Sequence, residues 1–156
     1  MKDRIKQLLH YPLLSNRWFL MGLWFIIALA GMLKYKRSFN NFLIFRGVYW
    51  HTVNGTSLYT AYPAEYSDVN HYGPVFSLVI APFALLPLWA GMLLWLLFLT
   101  AWLYLAIIRS GLREQQKVFI LWFCGITLPT ALFMQQFNIA VAAMILSSFF
   151  FIEKEK

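Results

Sequence analysis

The sequence predicts an all-α, polytopic transmembrane helix bundle of about five membrane segments, with a long polar loop after the first that carries a short interfacial helix. Three observations carry that prediction. Of the 156 residues, 61% are hydrophobic and only 12% are charged, whereas soluble domains are about 25% charged. The apolar residues are gathered into blocks, as a lipid solvent requires. The basic residues behind the net charge of +7 flank those blocks, a placement that suits anchoring at a membrane surface and contact with its lipids. Nothing resembles a nucleic-acid motif, a Gly-rich phosphate loop or a metal-ligand spacing. Neither a cofactor nor a nucleic-acid partner is expected. Cys124, the single cysteine, sits in an apolar block and reads as packing.

The first apolar run, 18–33, follows a basic stretch holding Lys2, Arg4, Lys6 and Arg17. Ala28-Leu29-Ala30 resembles a signal-peptide cleavage site, but the polar stretch before the run is long, so an uncleaved first helix is predicted. At 1.5 Å per residue the run covers about 24 Å, slightly less than a hydrocarbon core of about 30 Å. Snorkelling lysines and flanking aromatics make up the difference.

Residues 38–73 are the polar exception, the loop. Within it, Asn40 to Val53 lacks breakers and predicts a short helix. Phe42, Phe45 and Tyr49 fall near one face, which suits a membrane interface. Asn54-Gly55 ends the helix as a cap or turn. Asn54-Gly55-Thr56 is formally a glycosylation sequon but reads as that turn. The second segment, 74–88, contains Pro82 and Pro87, and the third, 89–108, is wholly apolar. The Leu-Pro-Leu-Trp between them predicts a tight helical hairpin. A charged loop reaches Lys117, and the fourth segment, 118–134, has Pro129 as a kink. Gln135-Gln136-Phe137-Asn138 is a polar island before the fifth segment, 139–152. Together these segments form one membrane domain, 1–156. If all five cross, the N-terminal side carries four Lys/Arg and the other side nine, which places the long loop in the cytoplasm.

The order of motifs from Asn40 onward resembles a known family. Asn40-Asn41-Phe42-Leu43-Ile44-Phe45-Arg46 is followed by Asn54-Gly55, Leu58-Tyr59 and Tyr62-Pro63-Ala64-Glu65-Tyr66. Tyr72-Gly73-Pro74-Val75-Phe76, Ala81-Pro82-Phe83-Ala84-Leu85-Leu86-Pro87 and the polar island complete the set. It resembles the glycosyltransferase family 87 (DUF2029) proteins of the GT-C superfamily, over residues 18–152. The resemblance implies a multi-pass enzyme of the bacterial inner membrane. Its sugar donor would be a polyprenyl-phosphate sugar, typically of mannose, and its acceptor a glycan or glycolipid. The loop would be extracytoplasmic, against the charge count. The sequence departs from the family at Asn41, where members carry an Asp. It is also less than half their usual length, which implies a truncated copy, an N-terminal portion or a split subunit.

Sugar transfer needs a base for the acceptor hydroxyl, a group to hold the departing phosphate and a platform for the sugar. Glu65 and Asp68 are the loop's carboxylates and the candidate bases. Asn41 can position a hydroxyl, but an amide cannot take a proton near neutral pH. Lys36, Arg37 and Arg46 are candidate phosphate ligands, the arginines because their fork matches phosphate oxygens. The same three suit lipid headgroups equally. His51 and His71 suit proton transfer or plain hydrogen bonding. Tyr59, Tyr62, Tyr66 and Tyr72 suit sugar stacking or the interface. Gln135, Gln136 and Asn138 need partners if buried in hydrocarbon, and the resemblance implies a position near the substrate cavity. The competing reading is a non-catalytic membrane scaffold or degenerate copy, favoured by Asn41 and the short length. A small transporter is the weakest, since no apolar run carries a charge to mark an ion path.

Overall fold

The computed structural model describes residues 12–33 and 39–154, with the side chains of the last two left out. Among the described residues there are six helices and no strand. They are α1 (Arg17–Gly31), α2 (Asn40–Val53), α3 (Val75–Ala84), α4 (Leu88–Ile108), α5 (Glu114–Phe133) and α6 (Asn138–Lys154). Only α4 and α5, at 21 and 20 residues, are long and apolar enough to cross a membrane. The apolar helices α1, α3 and α6 are shorter. The ten residues of α3 rise about 15 Å, half of a hydrocarbon core.

Local chemistry sets the boundaries. The Asn16 side chain caps α1, accepting from the amides of Trp18 (2.8 Å) and Phe19 (3.3 Å). The Gln116 amide oxygen accepts the Arg113 N–H at 3.0 Å, closing the start of α5. Gly55, at φ +65°, ends α2. The Thr56 amide reaches the His51 carbonyl and the Gly55 amide reaches that of Thr52, a Schellman motif that needs a left-handed residue. Pro87 separates α3 from α4, and the predicted hairpin forms there.

α4 is the axis. Its first half packs with α2 and α3: Gly91 lies against the Phe83 carbonyl and the Phe42 ring. Trp95 meets Phe45, Phe76 and Phe83 edge-on at 5.1–6.4 Å between centroids. Its second half packs with α1, α5 and α6. The contact with α1 begins at mid-helix, where Leu96 touches Gly31, and the Tyr104 hydroxyl donates to the Arg17 carbonyl at 2.7 Å. α5 lies along α1, where the Trp122 indole N–H donates to the Leu14 carbonyl at 2.9 Å. The polar island falls at the junction of the two halves, with the Phe137 ring parallel to that of Trp95.

The Asn40–Val53 helix therefore forms where the sequence predicts it, but its setting differs. Six residues, including Phe42, Phe45, Val48 and His51, are buried against neighbouring protein, so one face of the helix is wedged beside α3, while Trp50 and Val53 stay exposed. The outer surface is apolar elsewhere: Trp18, Ile26, Leu78, Trp89, Phe123, Ile126, Ile145 and Phe149 are all exposed. A large exposed apolar surface marks contact with another apolar phase.

Candidate functional site

Three stretches far apart in sequence converge on one pocket. The N-terminal end of α2 supplies Asn41, Ile44 and Phe45. The loop supplies Asp68, Val69, His71 and Tyr72, and the polar island supplies Gln136, Phe137 and Asn138. The cavity measures about 210 Å³. Of the fifteen candidates named from sequence, it gathers six: Asn41, Asp68, His71, Tyr72, Gln136 and Asn138.

Asn41 holds two of these walls together. Its amide N–H donates to the Met134 carbonyl at 2.7 Å, 93 residues away. Gln135 shapes the third wall. It is buried, adopts φ 48° and donates its side-chain amide to the Phe133 carbonyl at 2.6 Å. The Gln135 and Gln136 amides reach the Leu132 and Ala131 carbonyls, the Schellman pattern again, with glutamine in the place usually taken by glycine. A non-glycine residue in this conformation costs about 1–2 kcal/mol. Such strain is characteristic of functional sites.

Asp68 is the one carboxylate lining the pocket. One oxygen accepts the Val69 amide at 2.8 Å, which fixes the carboxylate and leaves the second oxygen for a ligand. Tyr72 is stacked on Phe76 at 4.5 Å. Burial raises its phenol above the ordinary value, so it stays a proton donor at neutral pH.

Glu65 lies elsewhere. Its carboxylate is 3.2 Å from His51 Nε2, a nitrogen that has no hydrogen-bond partner among the described residues. His51 is buried, stacked on Tyr62 at 3.8 Å, and its Nδ1 is 2.8 Å from the Thr56 hydroxyl. Tyr62 donates to the Ser57 carbonyl at 2.7 Å. Tyr66 is buried with its hydroxyl unpartnered among the described residues, and burial, then the nearby Glu65 charge and Tyr62, raise its phenol. The two carboxylates, three apart in sequence, thus belong to different clusters.

The remaining described candidates, Arg46 and Tyr59, do not line the pocket. Arg46 is half-buried on α2 without an ion pair among the described residues. Tyr59 is exposed. Lys36 and Arg37 lie outside the described residues.

Sequence reasoning passed over the residues that hold the loop. Buried Asn70 donates to the Leu58 and Tyr72 carbonyls and accepts the Tyr72 amide. Asn40 accepts from the Ser67 amide and hydroxyl at 2.8 and 2.9 Å. Asparagine accepting the backbone two residues on is a common turn former, and that was the available signal for Asn70.

Gln136 and Asn138 also line a second cavity of about 490 Å³. It runs between α4, α5 and α6, with Leu103, Ile126, Leu128, Ala131 and Ile139 among its mostly apolar walls. A polar pocket and an apolar groove therefore share a pair of amides.

A family model described as glycosyltransferase family 87 matches residues 70–156. No curated protein and no solved structure matches the chain. The matched stretch begins at Asn70, so it holds Tyr72, the hairpin of α3 and α4, the groove and the polar island, while Asn41, Arg46, Glu65 and Asp68 precede it. It spans more than half of the sequence, and the chain belongs to glycosyltransferase family 87.

Proposed function

We propose that this protein is a membrane-embedded hexosyltransferase that takes a sugar, mannose by family resemblance, from a polyprenyl-phosphate carrier. The observation that carries the reading is the shared pair Gln136 and Asn138. A lipid-linked sugar has a polar head and a long apolar tail, and here a polar pocket opens beside an apolar groove at those two amides. The tail would lie between α4, α5 and α6, and the sugar would sit against Asn41, Tyr72 and Asn138.

In the proposed reaction Asp68 accepts the proton of the acceptor hydroxyl. The acceptor oxygen attacks the anomeric carbon, the bond from that carbon to the phosphate oxygen breaks, and the polyprenyl phosphate departs with the electron pair. His71, on the same pocket wall, is placed to donate to the departing phosphate. A positioned base contributes about 10²–10⁴-fold. Glu65 is the weaker candidate base, because it lies beside His51, outside the pocket.

The arrangement of charge supports an extracytoplasmic loop. Arg17, Arg109, Arg113 and Lys117 all belong to the bundle end where α1 begins and α4 finishes, as the Tyr104–Arg17 bond fixes. The half-length α3 does not make a separate crossing, so the N-terminal stretch and the 109–117 loop fall on one side. The positive-inside count then reverses, with the polar loop on the poorer side.

The test is transfer by the purified chain from polyprenyl-phosphate mannose. Wild type is expected to transfer, Asp68→Asn to lose about 100-fold or more in kcat, and Glu65→Gln to stay within a few-fold. A second reading, a non-catalytic scaffold, is favoured by Asn41, whose amide serves as a tie to Met134. No transfer by wild type, with donor binding intact, would select it.

A further inference from the structure

A third cavity, of about 700 Å³, opens on the seam between α4 and α6 at the end of the bundle opposite the polar pocket. Its size is that of a small-molecule site. Trp102, Leu105 and Met144 are among its apolar walls, and its polar atoms come from Arg109, Ser147 and Ser148. Arg109 caps the C-terminal end of α4 and is exposed, with no hydrogen bond or ion pair from its side chain among the described residues. Glu114, the described carboxylate at this end, is taken by Lys117 at 2.8 Å. Among the described side chains, no carboxylate is therefore paired with the positive charge at the mouth.

The two serines point the same way. Thr100 in the same bundle satisfies itself by donating to the Leu96 carbonyl at 2.8 Å, the usual arrangement for a hydroxyl inside a helix. No such bond is made by the described hydroxyls of Ser147 and Ser148, although both face a cavity with apolar walls. Hydroxyls there need an acceptor from elsewhere. Apolar walls call for hydrocarbon, an unpaired guanidinium calls for an anion, and the end of a span-length helix is the depth at which headgroups lie.

We infer that the α4–α6 seam binds an acidic glycerophospholipid. Its phosphate sits on Arg109, its oxygens accept from Ser147 and Ser148, and an acyl chain lies along Trp102 and Met144. A zwitterionic lipid brings its own cation to the mouth and is disfavoured. This site is separate from the donor pocket and rests on different residues.

The test is lipid retention by the detergent-solubilised full chain, read by native mass spectrometry against phosphatidylglycerol and phosphatidylcholine. One phosphatidylglycerol is expected to be held about five-fold more strongly, the scale of one basic residue near an anionic headgroup. Arg109→Gln is expected to erase the preference, Arg109→Lys to keep most of it, and Arg113→Gln to leave it unchanged. Equal retention of both lipids by wild type overturns the inference. So does an equal loss in Arg113→Gln, which would mark a diffuse basic belt. Displacement by a prenyl monophosphate more readily than by phosphatidylglycerol also overturns it, assigning the seam to the carrier. Because the readout is binding, failure here leaves sugar transfer untouched.

Discussion

Tyr66 shows how one side chain can be both well packed and poorly satisfied. Its ring fills the space that Gly47 leaves open; a β-carbon at 47 would come within 2.7 Å of Tyr66 Cε1. Its buried hydroxyl has no partner among the described residues. A buried group left without a hydrogen bond costs about 1–3 kcal/mol, so Tyr66→Phe is expected to raise stability by about 1 kcal/mol, read as a higher unfolding temperature in detergent. Gly47→Ala is expected to lower it by about 1–3 kcal/mol, since an overpacked contact must move the ring. The phenols also predict a pH effect. Burial raises Tyr66 and Tyr72 above 10.0, so the folded state holds these protons more tightly than the unfolded chain does. Their contribution is whole below about pH 10 and is lost as pH rises through the folded values. Unfolding temperature should fall more steeply above pH 10 in wild type than in a Tyr66→Phe, Tyr72→Phe double variant.

At the scale of elements, the hairpin of α3 and α4 is the tightest joint. Gly91 sits where any β-carbon would run into the Phe83 carbonyl, with the Phe42 ring behind it. Backbone cannot yield as a flexible side chain can, so Gly91→Ala should cost about 1–3 kcal/mol or more and separate α2 and α3 from α4. Loss of transfer alongside a lower unfolding temperature would show it; unchanged melting would mean the hairpin opens freely. The bounds of α2 were legible because Asn54-Gly55 is a local signal that needs no tertiary partner. Its burial was not legible. A helix facing lipid and a helix facing protein carry the same apolar residues, so the pattern of Phe42, Phe45 and Tyr49 cannot tell the two apart. The shortness of α3 was hidden for a related reason, since its apolar run continues through Leu85 and Leu86 into α4 without a polar break. The pocket was half legible. Each of its walls shows as a polar interruption in an apolar sequence, but contacts remote in sequence bring them together: Asn41 with Met134 across 93 residues, Asn40 with Ser67 and Tyr72 with Phe137. Spacing along the chain kept Glu65 with Asp68, and the turn at Tyr62 to Tyr66, closed by two backbone hydrogen bonds, parts them.

For the molecule as a whole, the side on which the loop lies depends on how many times the chain crosses between Arg17 and Arg109. Five crossings put the N-terminus and the 109–117 loop on opposite faces; the topology proposed above, in which α3 does not cross, puts them on the same face. The Tyr104–Arg17 bond ties the start of α1 to the last turns of α4, and Trp122, midway along α5, reaches Leu14; both support that topology. The prediction is therefore about relative sidedness, and it is sharp. In a Cys124→Ala background, single cysteines at Ser67 and at Gly111, both exposed, should label from opposite faces of intact cells. Ser67→Cys should react with an impermeant maleimide added outside, and Gly111→Cys should react only after the membrane is opened. Labelling of both from one side would mean that α4 does not span, and with it would go the reading of the groove as a path for a lipid tail. Labelling of Gly111 from outside and Ser67 from inside would keep the span but put the pocket in the cytoplasm, where the four basic residues of the bundle end would face away from the anionic leaflet that attracts them.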